Sequence, residues 1–432
     1  MLSPVTSTSA AKRAAIVLTL LAMLTAGCGS SVGGSAAHAS VEVDPAAPGS
    51  TSGTCATTVL SVLGDVATRV YNEGVASERT EVALRLIEHS MPLREAVERG
   101  DSQGARSAAA ALLATGHLTN LTVLRGKQTL IDVGAAHALA PLHGSILGVK
   151  GVPIASFVTS VWTDSGFIEE MRGVAEGDVS LREGSHPIAG SFVLPAGELP
   201  PAGTFTKQGI AYQYSSFGAT AYPSGSAVRV YLLRPVRSTA GLCGRTDEDT
   251  LVNTLSRIAH LIYAGEGGSR ALLQVHRVQQ NAALLSAVAN RDANATRLAI
   301  DTLLHQHIVR LRVSAGGHLL SDVGGPYVLA PVTAALRLHG KQIGSLVLSI
   351  QDDEGYLRLT RRLAGLHVLM YMNANSSHPT LVKNSLGPNP GNIPASGSYQ
   401  YRGHTFQVFT VHARSFPSGP LRISVLVPIP YS

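Results

Sequence analysis

The chain has few charged residues and lacks recognisable catalytic motifs. Charged side chains make up 14% of its 432 residues, and the 34 basic ones are scattered along the sequence. Nucleic-acid binding needs basic residues clustered on one face, so we predict no nucleic-acid partner. There is no Walker loop, no paired-carboxylate signature, no His-Glu-x-x-His and no Cys-x-x-Cys-His. These absences argue against an enzyme, and we predict no cofactor and no resident metal.

Long apolar runs are also scarce, and the one present lies at the N-terminus. Two basic residues precede an apolar run at 14–24, and small residues then lead to Cys28. That order is typical of a secretory signal, and the run is shorter than the roughly 20 residues of a membrane span. The end of the run resembles a bacterial lipobox, although Thr25 stands where leucine is commoner. We predict a signal peptide at 1–27 and lipidation of Cys28; an ordinary cleaved signal with a coincidental cysteine is the alternative.

Residues 28–54 are rich in glycine, serine, alanine and threonine. Such a composition cannot build a core and behaves as a flexible tether, with a reach of about 25–30 Å by random-coil scaling. A lipid on Cys28 followed by this tether would hold an extracytoplasmic body on the cell membrane. The one Gly-x-Ser-x-Gly pattern, at 29–33, lies inside the tether. Because a nucleophile elbow needs a strand before it and a helix after it, we assign it no catalytic role.

Two further cysteines remain, Cys55 and Cys243. Each precedes the first predicted helix of one of two repeats. Exported proteins reach compartments in which disulfides persist, and an even number of remaining cysteines favours a bond between them. Two separate thiols are the alternative.

The body of the chain is two copies of one unit. Residues 93–141 and 284–331 align with one small gap, and later matches follow in the same order at an offset of about 190 residues. A period of that length indicates a duplicated domain rather than a solenoid. We predict domain 1 at 55–240 and domain 2 at 241–432. The matching segments include Asp132-Val133-Gly134 with Asp322-Val323-Gly324, Leu139-Ala140-Pro141 with Leu329-Ala330-Pro331, and Ser185-His186-Pro187 with Ser377-His378-Pro379.

The apolar periodicity changes once within each copy. Spacing by three and four, as in Val59, Val62, Leu63 and Val66, predicts a long first helix, and a second helical stretch follows. A period of two then begins, with glycine turns between paired runs, which predicts hairpins. We therefore predict an α+β fold of two tandem domains, each with long N-terminal helices packed beside a mostly antiparallel sheet.

The second copy carries a pattern that points to a known family. It consists of Asp322-Val323-Gly324-Gly325-Pro326, Leu329-Ala330-Pro331-Val332, the run Ile343–Asp353 and Gly355-Tyr356. This pattern resembles bacterial extracytoplasmic Cache (PDC-type, PAS-like) sensor domains over most of the second copy, and less fully over the first. The resemblance implies a long helix leading into a PAS-like sheet, with a small-molecule pocket on that sheet. We expect the ligand in the second copy, which keeps the pattern better.

The same resemblance implies signal transduction through a membrane helix into an output module. The chain ends at Ser432, just after its last predicted strand. We therefore expect a ligand-binding sensor or receptor lipoprotein that passes its signal to a separate membrane signalling or transport protein. The alternative is a structural or adaptor envelope lipoprotein whose Cache-like domains bind a protein.

Eight residues are candidates for ligand contact. Arg310 and Arg312 alternate on a predicted strand and suit bidentate capture of a carboxylate, and Asp132 or Asp322 would hold an amine. The other candidates lie near the expected pocket: Asp353, Trp162, Tyr327 and Tyr356.

Each candidate also has a structural interpretation. The arginines would be solvent-exposed, Asp132 and Asp322 would bond to the backbone of a turn, and the aromatic residues would pack in the core. Asp353 and its counterpart Asp164 would cap helices. His305 and His307 alternate as metal ligands would, but no third ligand stands near them, so we predict no metal site.

Overall fold

A computed structural model describes residues 51–265, 267–304, 308–325, 328–372, 380–416 and 419–431. The signal peptide, the lipidation of Cys28, the candidate Tyr327 and the pair His305 and His307 lie outside the described residues. Among the helices that are described, none has the length and apolar character needed to cross a membrane.

Both copies contain the same series of helices. In copy 1, residues 51–242, these are α1 (Thr51–Asn72), α2 (Glu78–Glu88), α3 (Met91–Arg99), α4 (Ser102–Leu113) and α5 (Asp164–Ala175). A short helix α6 (Val236–Thr239) and a 3₁₀ turn (Ala240–Leu242) lead to copy 2. In copy 2, residues 247–431, the helices are α7 (Asp247–Gly265), α8 (Ser269–Gln279), α9 (Ala282–Ala289), α10 (Ala293–Leu304) and α11 (Asp353–Ala364). The first turn of α1 falls within the range predicted as tether.

Short polar residues divide the second helical stretch into separate helices. Ser90 accepts a hydrogen bond from the backbone of α3, and Asp101 from the backbone of α4. Gly100 ends α3 in the left-handed conformation, at φ 71°, which costs glycine little because it has no Cβ. Asn281 caps α9 in the same way. N-caps of this kind satisfy backbone donors that a helix cannot satisfy internally.

Each copy contains two antiparallel sheets. The strands of copy 1 are β1 (Asn120–Arg125), β2 (Gln128–Gly134), β3 (Ala138–Leu139), β4 (Leu142–Leu147), β5 (Pro153–Ser160), β6 (Trp162–Thr163), β7 (Asp178–Glu183), β8 (His186–Gly190), β9 (Ala202–Lys207), β10 (Ile210–Tyr222) and β11 (Ala227–Pro235). Those of copy 2 are β12 (Arg310–Ala315), β13 (His318–Gly324), β14 (Val328–Leu329), β15 (Val332–Leu338), β16 (Lys341–Ser349), β17 (Gln351–Asp352), β18 (His367–Met372), β19 (Thr380–Asn384), β20 (Gly397–Tyr401), β21 (His404–Phe416) and β22 (Gly419–Ile429).

The two sheets of a copy share one topology. The small sheet runs β2-β1-β5-β4, and the large sheet runs β6-β3-β10-β11-β7-β8 with β9 on β10. Each sheet has a PAS-like order, in which the first strand of a hairpin lies beside the last long strand of that sheet. These neighbours are β1 and β5 in the small sheet and β7 and β11 in the large sheet. Copy 2 repeats both orders with the strands β12 to β22. The α+β fold with antiparallel sheets is confirmed, but each copy holds two PAS-like sheets instead of the single sheet predicted, because periodicity does not reveal which strands pair.

One apolar core joins the two large sheets. It is built from four helices, α1 and α5 of copy 1 and α7 and α11 of copy 2, together with side chains of both large sheets. Val59 and Val66 are fully buried there, beside Leu255 and Ile258 from the other copy. Full burial of such a side chain contributes about 1.5–3 kcal/mol, so the two copies depend on each other for stability.

A disulfide joins Cys55 of α1 to Cys243, the pair that the sequence favoured. The bond closes a loop with a sequence separation of 188. It fixes the start of α1 at the segment between the copies, beside the shared core.

We expect loss of this disulfide to lower the free energy of unfolding by about 2–4 kcal/mol, because the cross-link restricts the unfolded chain. The measurement is urea unfolding of the wild type with and without reductant. The variant Cys55→Ser/Cys243→Ser is the control and should not respond to reductant. Equal unfolding midpoints for oxidised and fully reduced wild type would contradict the prediction.

Candidate functional site

The face of each large sheet that points away from the shared helices is filled by the chain itself. In copy 1, Phe205, Tyr214 and Tyr231 pack there beneath Leu194 and Leu199. Tyr214 is fully buried. A corresponding cluster covers the face in copy 2: Leu369, Tyr371, Ile393, Phe406, Val408 and Leu426.

The junction between the small and large sheets of copy 1 is held by hydroxyl groups. Thr122 on β1 donates a hydrogen bond of 2.9 Å to Asp132 on β2. The same hydroxyl lies 2.6 Å from that of Tyr222 at the end of β10. Burial is the main cause that raises the pKa of Tyr222 to about 12. The predicted ligand candidate Asp132 therefore takes part in a contact between the two sheets.

The same junction in copy 2 is held by charged side chains. We call this group the arginine cluster, and it consists of Arg310, Arg312, Asp322 and Phe416. Asp322 accepts bonds of 2.8 and 2.9 Å from Arg310 and of 3.0 and 2.6 Å from Arg312. Both guanidinium carbons lie over the Phe416 ring, 4.9 and 4.4 Å from its centroid. The two predicted arginines are thus brought together, but the carboxylate that they hold is the chain's own.

The arginine cluster carries two positive charges against one negative charge and is largely sheltered. The side chains of Arg310 and Asp322 are 13% exposed, and that of Arg312 is 31% exposed. Burial by itself would raise the pKa of Asp322, but hydrogen bonds from both arginines hold that pKa below its ordinary 3.8. Charge-assisted bonds of this kind are stronger than neutral ones, so the cluster ties the two sheets of copy 2 together.

We expect Asp322→Asn to lower the free energy of unfolding by about 2 kcal/mol at pH 7. Breaking a fully buried ion pair costs ~3–5 kcal/mol, and the loss should be smaller here because Arg312 is partly exposed. Since the folded pKa lies below 3.8, the stabilisation is present above that pH and is lost on acidification through the lowered value. The measurement is chemical unfolding from pH 7 to pH 3. Asp132→Asn is the control and should show a smaller loss; equal losses would refute the ionic role.

The two remaining aromatic candidates pack against other parts of the fold. Trp162 lies beside Phe167, at 6.1 Å between ring centroids, and Arg79 lies 5.0 Å from its ring centroid. Tyr356 is fully buried in the shared core and donates a bond of 3.2 Å to the carbonyl of Ala259 on α7. Neither residue reaches the arginine cluster by these contacts, and both contribute to packing.

Asp164 and Asp353 do not cap their helices, contrary to the prediction. The N-cap residues lie one position earlier. The Thr163 side chain accepts a hydrogen bond of 2.9 Å from the backbone N–H of Gly166, and the Asp352 side chain accepts one of 2.6 Å from that of Gly355. Asp164 is only 5% exposed. Its Oδ1 has no hydrogen-bond partner among the described residues.

A cavity of about 690 Å³ opens beside Asp164, and we call it the Asp164 cavity. It lies between the segment after β2, the start of α5 and the end of β8. Its polar wall consists of His137, Thr163, Asp164, Ser165, Glu169, Arg172 and Ser191. Sequence reasoning missed most of these residues; the repetition of Asp164 as Asp353 was the available signal. The described part of the chain contains no group of three or more His, Cys, Asp or Glu side chains arranged to hold a metal.

A second cavity, of about 300 Å³, lies in copy 2 against α9. Its wall includes Gln280, Leu285, Ser286, Asn290 and Leu338. The larger of these two cavities therefore lies in copy 1, whereas the sequence pattern favoured copy 2 as the ligand site.

Comparison with known proteins finds similar structures only at low identity. No family model and no curated protein matches the chain. The Vibrio cholerae LuxQ periplasmic domain is 10% identical with a TM-score of 0.28, over 42% of this chain and 99% of that domain. The ligand-binding domain of the Pseudomonas fluorescens chemoreceptor CtaA, solved with L-alanine, is 14% identical with a TM-score of 0.24, over 41% and 97%.

An extracellular ligand-binding receptor from Desulfohalobium retbaense is 12% identical with a TM-score of 0.22, over 53% of this chain and 47% of that one. The strand order of the two copies defines the fold.

We expect Asp164→Asn to raise the free energy of unfolding at pH 7 by on the order of 1 kcal/mol, because it removes an unpaired buried charge. Burial raises the pKa of Asp164 above 3.8, while the charge of His137 acts to lower it. The penalty is therefore absent below pH 3.8 and develops as pH rises through the folded pKa. The measurement is melting temperature against pH. Glu169→Gln, an exposed carboxylate on the same wall, should show no such gain; a gain unchanged at pH 3 would contradict the assignment.

Proposed function

We propose that this protein is an extracytoplasmic receptor lipoprotein that binds a small molecule in the Asp164 cavity and acts through a separate membrane protein. One observation carries the proposal: a cavity of about 690 Å³ is lined by a carboxylate that is 5% exposed and has an oxygen without a partner among the described residues. Small-molecule sites typically measure about 300–1,000 Å³ and contain a few convergent polar groups. The predicted lipid on Cys28 would keep the receptor at the membrane.

The position of the cavity supports a receptor role. Asp164 is the first residue of α5, and Phe167 and Met171 of the same helix are fully buried in the shared core. The C-terminal end of α5 reaches copy 2 directly, where Glu176 accepts two bonds from Arg257 of α7. A ligand that moved α5 would therefore act on the helix layer shared by both copies. Coupling of this kind requires a ligand with different affinities for two arrangements of that layer.

We expect mass spectrometry of the full chain, purified in mild detergent from an exporting host, to show two features. The intact mass should correspond to a chain that begins at Cys28 with a diacylglyceryl group. Under native conditions a further small-molecule mass should be present and should be lost on denaturation.

Ala189→Met, on the cavity wall, should reduce that small-molecule mass, whereas Ala202→Met, an exposed position outside the wall, should not. A bare protein that also shows no thermal shift with a broad metabolite panel would contradict ligand binding.

An adaptor function is the second candidate, and one surface favours it. The end of β4 and the turn that follows it expose three apolar side chains: Leu147 is 42% exposed, Val149 80% and Val152 61%. Exposed apolar groups close together are a feature of protein interaction sites. The adaptor function would be favoured by two results together. Native mass spectrometry would show no bound small molecule, and cross-linking would recover one specific membrane protein.

A further inference from the structure

The two copies place different residues at one equivalent position beside a carboxylate that both copies contain. Ala189 on β8 pairs with Leu181, and Lys383 on β19 pairs with Met370. Leu181 and Met370 hold the same place, because each is the fourth residue of its strand and pairs with the last strand of its own large sheet. Ala189 and Lys383 are therefore structural counterparts, as are Asp164 and Asp353 at the first position of α5 and α11.

In copy 2 the chain supplies an ammonium group to this carboxylate. Lys383 Nζ forms an ion pair with Asp353 Oδ2 at 4.0 Å and donates its hydrogen bond to Glu354, so Asp353 Oδ2 accepts no hydrogen bond among the described residues. The hydrogen bond to Glu354, with the nearby acidic charges, raises the pKa of Lys383 above its ordinary value. Asp353 is 7% exposed, and burial raises its pKa while the charge of Lys383 acts to lower it, so a lysine from the neighbouring strand offsets part of the cost of burying this carboxylate.

In copy 1 the carboxylate is present without the lysine. Asp164 is as deeply buried as Asp353, but Ala189 carries no charge and lines the Asp164 cavity. The charged side chains around the cavity are Asp164, Glu169 and Arg172, two carboxylates against one guanidinium, with His137 beside them. Burial of Asp164 penalises its ionised form, and a cation in the cavity would offset that penalty.

We propose that the Asp164 cavity binds a small organic amine, whose ammonium group takes the place that Lys383 occupies in copy 2. This inference rests on the proposed receptor function and specifies its ligand class. The ammonium donates to the Asp164 carboxylate, and the rest of the amine occupies the space above Ala189. No covalent step is involved.

The first test inserts the missing ammonium into the full chain. Ala189→Lys should raise the melting temperature above that of Ala189→Met, which has similar length and no charge, by about 2 °C or more. The difference should disappear when Asp164→Asn is added to both variants. If the melting temperature of Ala189→Lys is no higher than that of Ala189→Met, the proposed preference of the cavity for a positive charge is overturned.

The second test uses defined probes on the same full-length protein. Ethanolamine, n-butylamine and 1,4-diaminobutane should raise the melting temperature with increasing concentration, whereas n-butanol, which lacks the charge, should not. Asp164→Asn and Ala189→Lys should abolish the shift. Asp353→Asn, the matched change in copy 2, should preserve it.

The outcomes separate this inference from the function on which it rests. If no amine shifts the wild type, but a different metabolite does so and Ala189→Met weakens its effect, the receptor function stands and the amine assignment is overturned. If no compound produces a shift and the protein is bare in native mass spectrometry, both fail. An amine shift that survives Asp164→Asn would also overturn the assignment, because it would place the amine elsewhere.

Discussion

The apolar helix layer between the two large sheets is the constraint on which the rest of the structure depends. A sheet with one apolar face must bury that face against another element, and here four helices, two from each copy, cover both inner faces at once. Val66 of copy 1 and Ile258 of copy 2 are almost completely buried in this layer. Each copy covers its large sheet with its own helices, and those helices pack against the helices of the other copy, so one copy alone would leave the far side of its helices exposed; the disulfide lies at the start of this layer.

The local features of this fold could be predicted from the sequence, whereas the division into sheets could not. Ser90 and Asp101 interrupt the helical pattern where helices begin, and glycine turns mark the hairpins. The strand segments β3 and β6 are only two residues long, yet they leave the small sheet and join the large one. A period of two is the same in either sheet, and pairing between distant strands leaves no trace in it. The second sheet of each copy was therefore missed.

The candidate site residues could likewise be predicted only in part from the sequence. Arg312 lies directly opposite Asp322 in the β12–β13 hairpin, and opposite charges at cross-strand positions attract; the internal pairing could therefore have been predicted from the hairpin register. The cap positions were wrong by one residue, since Thr163 and Asp352 precede the aspartates that the repeat emphasises. The Asp164 cavity could not be predicted, because its wall comes from a loop, a helix and a strand end distant in sequence.

The copies differ most in how each satisfies its buried charges. Copy 2 pairs Asp322 with two arginines and sets Asp353 beside a lysine. Copy 1 has hydroxyl groups at the first position and an unpartnered carboxylate oxygen beside a cavity at the second. A buried polar group without a partner costs free energy, and in copy 2 Lys383 places an opposite charge 4.0 Å from Asp353 Oδ2, although that oxygen also accepts no hydrogen bond among the described residues. In copy 1 the corresponding strand position is Ala189 and the carboxylate lies at a cavity, so the proposed amine would supply the charge that Lys383 supplies in copy 2.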